Sequence, residues 1–374
     1  MQNRVLILMS TYNAEKYLVE QIKSLREQRN VCVSILCRDD GSTDNTIHIL
    51  KSLGIDYYTG GNLGPARSFM DLVEKCSETY EYYAFCDQDD YWYPDKLKTA
   101  IEYIDNEKEI PVLYYSAVNV TDEKLKVMYK SFKTMPNALS EIALSCGIMQ
   151  GCTQVFNRQL LLQLKRHKPN SIAMHDFYIT LVCKFLGGKF VIDSTPQISY
   201  RQHSANTLGI TAKKRASFYQ QYSYTIKDAE FYKDSSTLSD EDEKFVDAIN
   251  NYLADGSSRI DLINIVIKTT FSLKWKLTLV KNLLLKKPVD KITITDLTND
   301  CGITRMAFYY HFKDIYDLVE WACVEDGKRA LQGKRTYNSW QEGLEQIFKA
   351  VLENKPFIMN VYRSVSKEQI ESYL

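Results

Sequence analysis

Short apolar runs alternate with helical-period segments through the N-terminal part of the chain. Val5-Leu6-Ile7-Leu8-Met9 is unbroken and ends in the polar string Ser10-Thr11-Tyr12-Asn13. Tyr17, Leu18, Ile22 and Leu25 then recur on one face at helical spacing. Val31 to Cys37 reads as a second strand, ending in Arg38-Asp39-Asp40-Gly41-Ser42-Thr43-Asp44-Asn45-Thr46. Gly41 permits a tight turn there, and Ser42 or Thr43 is placed to cap a helix running through Ile47 and Leu50. A third helix opens at Asn62-Leu63-Gly64-Pro65, and the strand Tyr82-Tyr83-Ala84-Phe85 follows. Strands and helices alternating at short intervals predict an α/β fold, a mostly parallel sheet with helices on both faces.

Each of these three strands ends in a polar cluster, and in open α/β sheets ligands bind outside the carboxyl ends of the strands. The third cluster is Cys86-Asp87-Gln88-Asp89-Asp90-Tyr91-Trp92, with three carboxylates in four residues. Carboxylates this crowded repel one another unless a cation lies between them. Oxygen ligands favour a hard divalent ion, Mg²⁺ or Mn²⁺, of the kind that also holds substrate phosphates. The plainer alternative is an acidic turn capping a helix near Pro94. Together the three clusters describe a nucleotide site.

The strings MSTYNAEKYLVEQIKSL, RDDGSTDNT, NLGPARSF, FCDQDDYWYPDKL, QGCTQVFN, MHDFY and YRQHSANTLG resemble family-2 glycosyltransferases, in particular their bacterial rhamnosyltransferase-like branch, and occur in that branch's order. The resemblance covers residues 3 to 210, with weaker helical continuation to 268. It implies a GT-A fold and transfer of a sugar from a nucleoside diphosphate donor with inversion at the anomeric carbon. It further implies that Thr11 and Asp39 contact base and ribose with Asp40 beside them. Asp87 would face ribose and metal, and Asp89 would bind the metal. His203 is either a further metal or phosphate contact or a surface histidine in a loop. Asp176, in Met174-His175-Asp176, is either the base that deprotonates the acceptor or a plain helix N-cap. The string Gln150-Gly151-Cys152-Thr153 would lie near the acceptor, with Gly151 allowing close backbone approach; Trp92 would be an apolar wall for the sugar or part of the core. The resemblance favours dTDP-rhamnose as donor and a saccharide or lipid-linked acceptor.

Composition is consistent with an intracellular enzyme. The chain has 374 residues, 45% hydrophobic and 25% charged, enough for a large core and two domains. Its 47 basic and 47 acidic residues cancel, which excludes global steering toward nucleic acid or anionic membranes. Nine cysteines without a Cys-x-x-Cys pair predict reduced thiols rather than disulfides or a zinc site. The chain enters a strand at its start, so no secretory signal is expected. The apolar segment from Ile260 to Leu285, interrupted by lysines and holding Trp275, is either a helix packed in its own domain or one lying on a membrane surface. The expected location is the cytoplasm or the inner face of the cell membrane.

A second pattern begins near residue 286. Thr295 is placed to cap a short helix ending at Cys301-Gly302, and Thr304 to cap another from Arg305 to Phe312. Helix, glycine turn and helix is the helix-turn-helix pattern. The segment KITITDLTNDCGITRMAFYYHFKDIYDL resembles the DNA-binding part of TetR-family regulators, well over 270 to 325 and loosely beyond. That resemblance implies phosphate contacts from Thr304, Tyr309, Tyr310 and His311, and a base contact from Arg305. Ala307, Ile315 and an even balance of basic and acidic residues over 286–374 depart from a working DNA-binding footprint. The expected organisation is a GT-A glycosyltransferase domain over 1–268 and a small all-α, truncated TetR-like domain over 269–374. The alternative is a DNA-binding regulator fused to a degenerate transferase.

Overall fold

The computed structural model describes residues 2–132, 134–145, 149–203, 224–233, 237–254, 258–270 and 279. The helix-turn-helix residues Thr304, Arg305, Tyr309, Tyr310 and His311 lie outside them. The chain divides into two compact units, Met1–Val246 and Asp247–Leu374.

The first unit is built on strands β1 (Arg4–Thr11), β2 (Cys32–Asp39), β3 (Asp56–Thr59), β4 (Tyr82–Cys86), β5 (Tyr91–Trp92), β6 (Val112–Thr121), β7 (Val127–Ser131), β8 (Val155–Asn157) and β9 (Lys189–Arg201). They form one sheet in the order β3-β2-β1-β4-β8-β6-β9-β5, with β7 paired to β6 off that path. The first four are parallel; β8 then runs antiparallel to both β4 and β6. The helices include α1 (Leu18–Arg26), α2 (Thr46–Ser52), α3 (Pro65–Lys75), α4 (Lys96–Ile104), α5 (Leu139–Leu144), α6 (Arg158–Leu164) and α7 (His175–Phe185).

Val5 to Met9 are buried along their whole length, as a central strand covered on both faces demands. Val5, Ile7 and Met9 share a core with Leu18, Ile22 and Leu25 of α1 and with Leu97, Ile101 and Ile104 of α4. The alternate residues Leu6 and Leu8 point the other way, where α3 packs on β1 and α7 on α3. Each of the larger aliphatic side chains removed from water here contributes about 1.5–3 kcal/mol.

Sequence and structure differ at the start of α2. Neither Ser42 nor Thr43 caps it. The helix begins at Thr46, whose amide donates to Asp44 Oδ1 at 3.0 Å. Ser42 is committed elsewhere: its amide and hydroxyl both donate to Asp39, and its Oγ accepts from the Asn13 amide at 2.9 Å. The loop therefore serves the end of β2 before the helix starts.

Candidate active site

Because β1, β2 and β4 are parallel and in register, Thr11 beside Asp39 and Met9 beside Cys86, their carboxyl ends open at one edge of the sheet. Thr11 and Asp39 meet there, Oγ1 donating to Oδ1 at 3.0 Å, while the Gly41 and Ser42 amides donate to Asp39 Oδ2 at 3.1 and 2.8 Å. Gly41 holds φ +86°, which a side chain would strain. Asp40 points into the protein. It pairs with buried Arg38 and accepts from the Leu63 and Gly64 amides, each at 2.8 Å. Arg38 also reaches Asp71 at 2.9 Å and Gly61 O at 3.1 Å. Asp40 thus stitches the β2 loop to the start of α3; removing one partner of so buried a pair costs about 3–5 kcal/mol.

The loop after β4 carries the acids. Gln88 bridges it to the end of β1, accepting from Tyr12 N at 2.7 Å and donating to Tyr12 O at 3.1 Å. Asp89 Oδ2 lies 2.8 Å from His203 Nε2, and the His203 ring stands 5.0 Å from that of Tyr17. His203 is therefore buried against the acid loop, which removes the reading of it as a surface loop residue. Asp90 is fully buried; its Oδ1 accepts from the Arg201 amide at 3.0 Å, while Oδ2 has no hydrogen-bond partner among the described residues. Among the described residues, the ligand atoms of Asp87, Asp90 and Cys152 lie within 4.8 Å of one another. The sequence grouped Asp87 with Asp89 and His203 instead. Asp87 feels the charges of both Asp89 and Asp176.

Burial raises the proton affinity of Asp87 to about 7, and the charges of Asp89 and Asp176 add to it. Asp90 is pushed up by burial and then by the charges of Asp89 and Asp87. A cation is what would relieve this crowding. Toward the interior lies Lys96, fully buried with its Nζ 3.4 Å from the Trp92 ring centroid; burial lowers its proton affinity to about 7, opposed by Cys152, Cys86 and Asp90. The outer end, Asp87 and Asp89, fits a divalent ion, because both side chains are reachable and offer hard oxygens. Trp92 is wholly buried beneath Lys96, so it is core and presents no wall to a sugar.

Asp176 lies in the first turn of α7, whose N-cap is Met174, so it is not a simple cap. Its Oδ1 accepts from the Phe177 amide at 2.7 Å and its Oδ2 from the Gly151 amide at 3.2 Å. Burial raises its proton affinity to about 6, opposed by those two amides. The donor Gly151 belongs to a single 3₁₀ turn, Gly151–Thr153, closed by Thr153 N and Oγ1 on the Gln150 carbonyl at 2.9 and 2.8 Å. A Cβ on Gly151 would collide with His175 Nε2 and lie 3.1 Å from its Cε1. His175 cannot retreat, being stacked on Phe69 at 3.9 Å and edge-on to Phe85 at 4.9 Å.

Four residues do more at the site than the sequence indicated. Cys152, expected only near the acceptor, sits among the acids. Lys96 is a buried amine within electrostatic reach of Asp90. Gln154 holds the Asp176 carbonyl through Nε2 at 3.1 Å. Arg201 is buried, donates to Asp89 O at 2.7 Å, also bonds Glu20 and the Glu123 carbonyl, and lies 4.5 Å from the Tyr17 ring. All four stood inside recognised strings, but nothing in the linear order placed them beside the acids.

This sheet, with a parallel β3-β2-β1-β4 half and an acid loop leaving β4, defines the GT-A class of sugar transferases. The crystal structure of S. aureus TarS 1-349 in complex with UDP-GlcNAc shares the fold, with a TM-score of 0.51 and 18% identity over 88% of this chain and 92% of that one. Residues 6–164 match glycosyl transferase family 2, and residues 338–374 match a transcriptional regulator C-terminal region of TetR type. The dTDP-rhamnosyl transferase RfbG of Shigella flexneri is 28% identical over 308 residues, covering 76% of this chain and 97% of that protein. The amylovoran biosynthesis glycosyltransferase AmsB of Erwinia amylovora is 24% identical over 212 residues, 52% of this chain and 68% of its own length. With this match over residues 6–164 and these relatives, the chain is a glycosyltransferase. The regulator match extends into residues that the helix-turn-helix resemblance covered only loosely.

Proposed function

We propose that the chain is a divalent-metal-dependent, inverting glycosyltransferase moving rhamnose from dTDP-rhamnose to a saccharide or lipid-linked acceptor of a surface polysaccharide. The observation that carries this is the Asp176 carboxylate, oriented by the Gly151 and Phe177 amides, within electrostatic reach of Asp87. Asp176 takes the proton from an acceptor hydroxyl. The freed oxygen attacks the anomeric carbon from the face opposite the diphosphate, and the bond from that carbon to the diphosphate oxygen breaks. Gln150 and Gly151 border the acceptor side. Asp87 and Asp89, with His203 behind Asp89, would hold Mg²⁺ or Mn²⁺. The ion would supply charge stabilisation to the departing diphosphate. Thr11 and Asp39 stand where base and ribose would lie, and Asp40 supports them from behind. RfbG's description supports the choice of donor.

No helix among the described residues is long and apolar enough to cross a membrane; the proposed location is the cytoplasm, reaching the inner membrane face. A transferase domain over 1–268 and a TetR-like region over 269–374 remain the proposed division. The match at 338–374 favours a second reading, a DNA-binding regulator carried on the same chain.

Thermal unfolding with a panel of nucleoside diphosphate sugars, with and without Mn²⁺ or Mg²⁺, tests the first reading. A ligand at about 100 times its Kd adds about 2.7 kcal/mol to stability. A metal-dependent rise with dTDP-rhamnose is the expected result. A rise with another donor corrects the sugar, and no rise with any donor overturns the reading in favour of the regulator.

A further inference from the structure

Strand β7 stands apart from the rest of the sheet. Its partner residues Val118 and Val120 on β6 are buried, yet Val127, Met128 and Tyr129 are 52%, 52% and 48% exposed, and Phe132 just beyond is 37% exposed. Alternate residues of a strand point to opposite faces, so this strand shows apolar groups on both. Exposed lysines interleave with them at Lys124, Lys126 and Lys130. The neighbouring acids are already engaged. Asp122 Oδ1 accepts from the Lys124 and Lys126 amides, each at 2.9 Å, and Glu123 pairs with Lys16 at 2.6 Å. The hairpin turn also touches the acid site, since the Glu123 carbonyl accepts from Arg201, two residues before His203.

We infer that the β6–β7 hairpin is a docking surface for an anionic lipid bilayer. Apolar groups flanked by lysines suit the boundary between headgroups and acyl chains. A second copy of the chain fits less well, because edge-to-edge pairing of two β7 strands would bring their lysine rows together. A bilayer supplies anions for lysines that have no ion-pair partner among the described residues, and it would set the acid loop close to its surface. The inference stands apart from the transfer reaction, since vesicle binding needs neither donor nor turnover.

The test is cosedimentation of the full chain with phosphatidylcholine vesicles, with and without phosphatidylglycerol. Binding is expected only to the anionic vesicles and should weaken as salt rises. Two variants separate the contributions: Met128→Ser with Tyr129→Ser, and Lys124→Glu with Lys126→Glu and Lys130→Glu. Each lysine near an anionic surface is worth roughly fivefold in binding, so the lysine variant should lose well over tenfold, and the apolar one about tenfold. All five positions are exposed, and unchanged thermal unfolding of either variant establishes its fold. Wild-type affinity in both variants overturns the inference, as does failure of the unaltered chain to bind. Concentration-dependent self-association that Met128→Ser with Tyr129→Ser abolishes, without vesicle binding, overturns it in favour of a second copy.

Discussion

At the scale of single residues, Asp176 is the side chain on which the proposed chemistry turns. Two backbone amides hold its carboxylate, while burial keeps its proton affinity high, near 6. A base must be unprotonated, so transfer should fall as pH drops through about 6 and level off above it. The stability sign is the reverse. The folded value lies above the unfolded value of about 3.9, so the stabilising contribution is full below about pH 4 and is lost as pH rises through 6. Asp176→Asn should therefore lower transfer by about 10²–10⁴-fold, leave donor affinity within a few fold, and leave the protein at least as stable at pH 8. Rate assays, donor titration and thermal unfolding check the three parts; a full-rate Asn variant would remove Asp176 from the role. The acid positions were legible because charge in an apolar context is conspicuous in a sequence. Trp92 was not, since an aromatic after an acid loop reads equally as wall or core, and only the packing of Lys96 against it settles which.

At the scale of elements, the 3₁₀ turn Gly151–Thr153 does more than its length implies. It delivers one amide to Asp176, places Cys152 among the acids, and leads into Gln154, which holds the first turn of α7. Gly151→Ala would push against His175 and stand 3.4 Å from Asp176 Cβ. Overpacking of this kind costs about 1–3 kcal/mol. Because the displaced groups carry the base, kcat should fall at least about tenfold, reflecting the sensitivity of catalysis to 1 Å misplacements. Steady-state kinetics beside a melting curve would show it, and unchanged kcat would mean the turn has slack. The glycine itself was readable as a point of close approach. What approaches it, a histidine clamped between two phenylalanines, is a matter of three elements distant in sequence.

At the scale of the whole molecule, a transferase domain shares its chain with regulator-like residues, and the site described above draws on the first compact unit alone. Deleting the chain after residue 268 should leave transfer within a few fold of the full chain, measured with donor and acceptor in solution. Loss of activity from a shortened chain that still unfolds cooperatively would show that the enzyme needs its tail.

By itself the sequence determined the alternation of strands and helices, the edge of the sheet where ligands would collect, and the residues Thr11, Asp39, Asp87, Asp89 and Asp176 that stand there. The alternation, the edge and the acids after β4 follow from local periodicity and from polar groups at strand ends, both written in neighbouring residues, whereas Thr11, Asp39 and Asp176 were singled out by the family resemblance. Tertiary structure alone decided that Asp40 faces inward to Arg38, that Trp92 is core, and that Cys152, Lys96 and Arg201 surround the acids. It also decided that the apolar residues of β7 lie outside the core. The physical reason is that burial and charge fields depend on distance in space, and these partners come from strands and helices far apart along the chain.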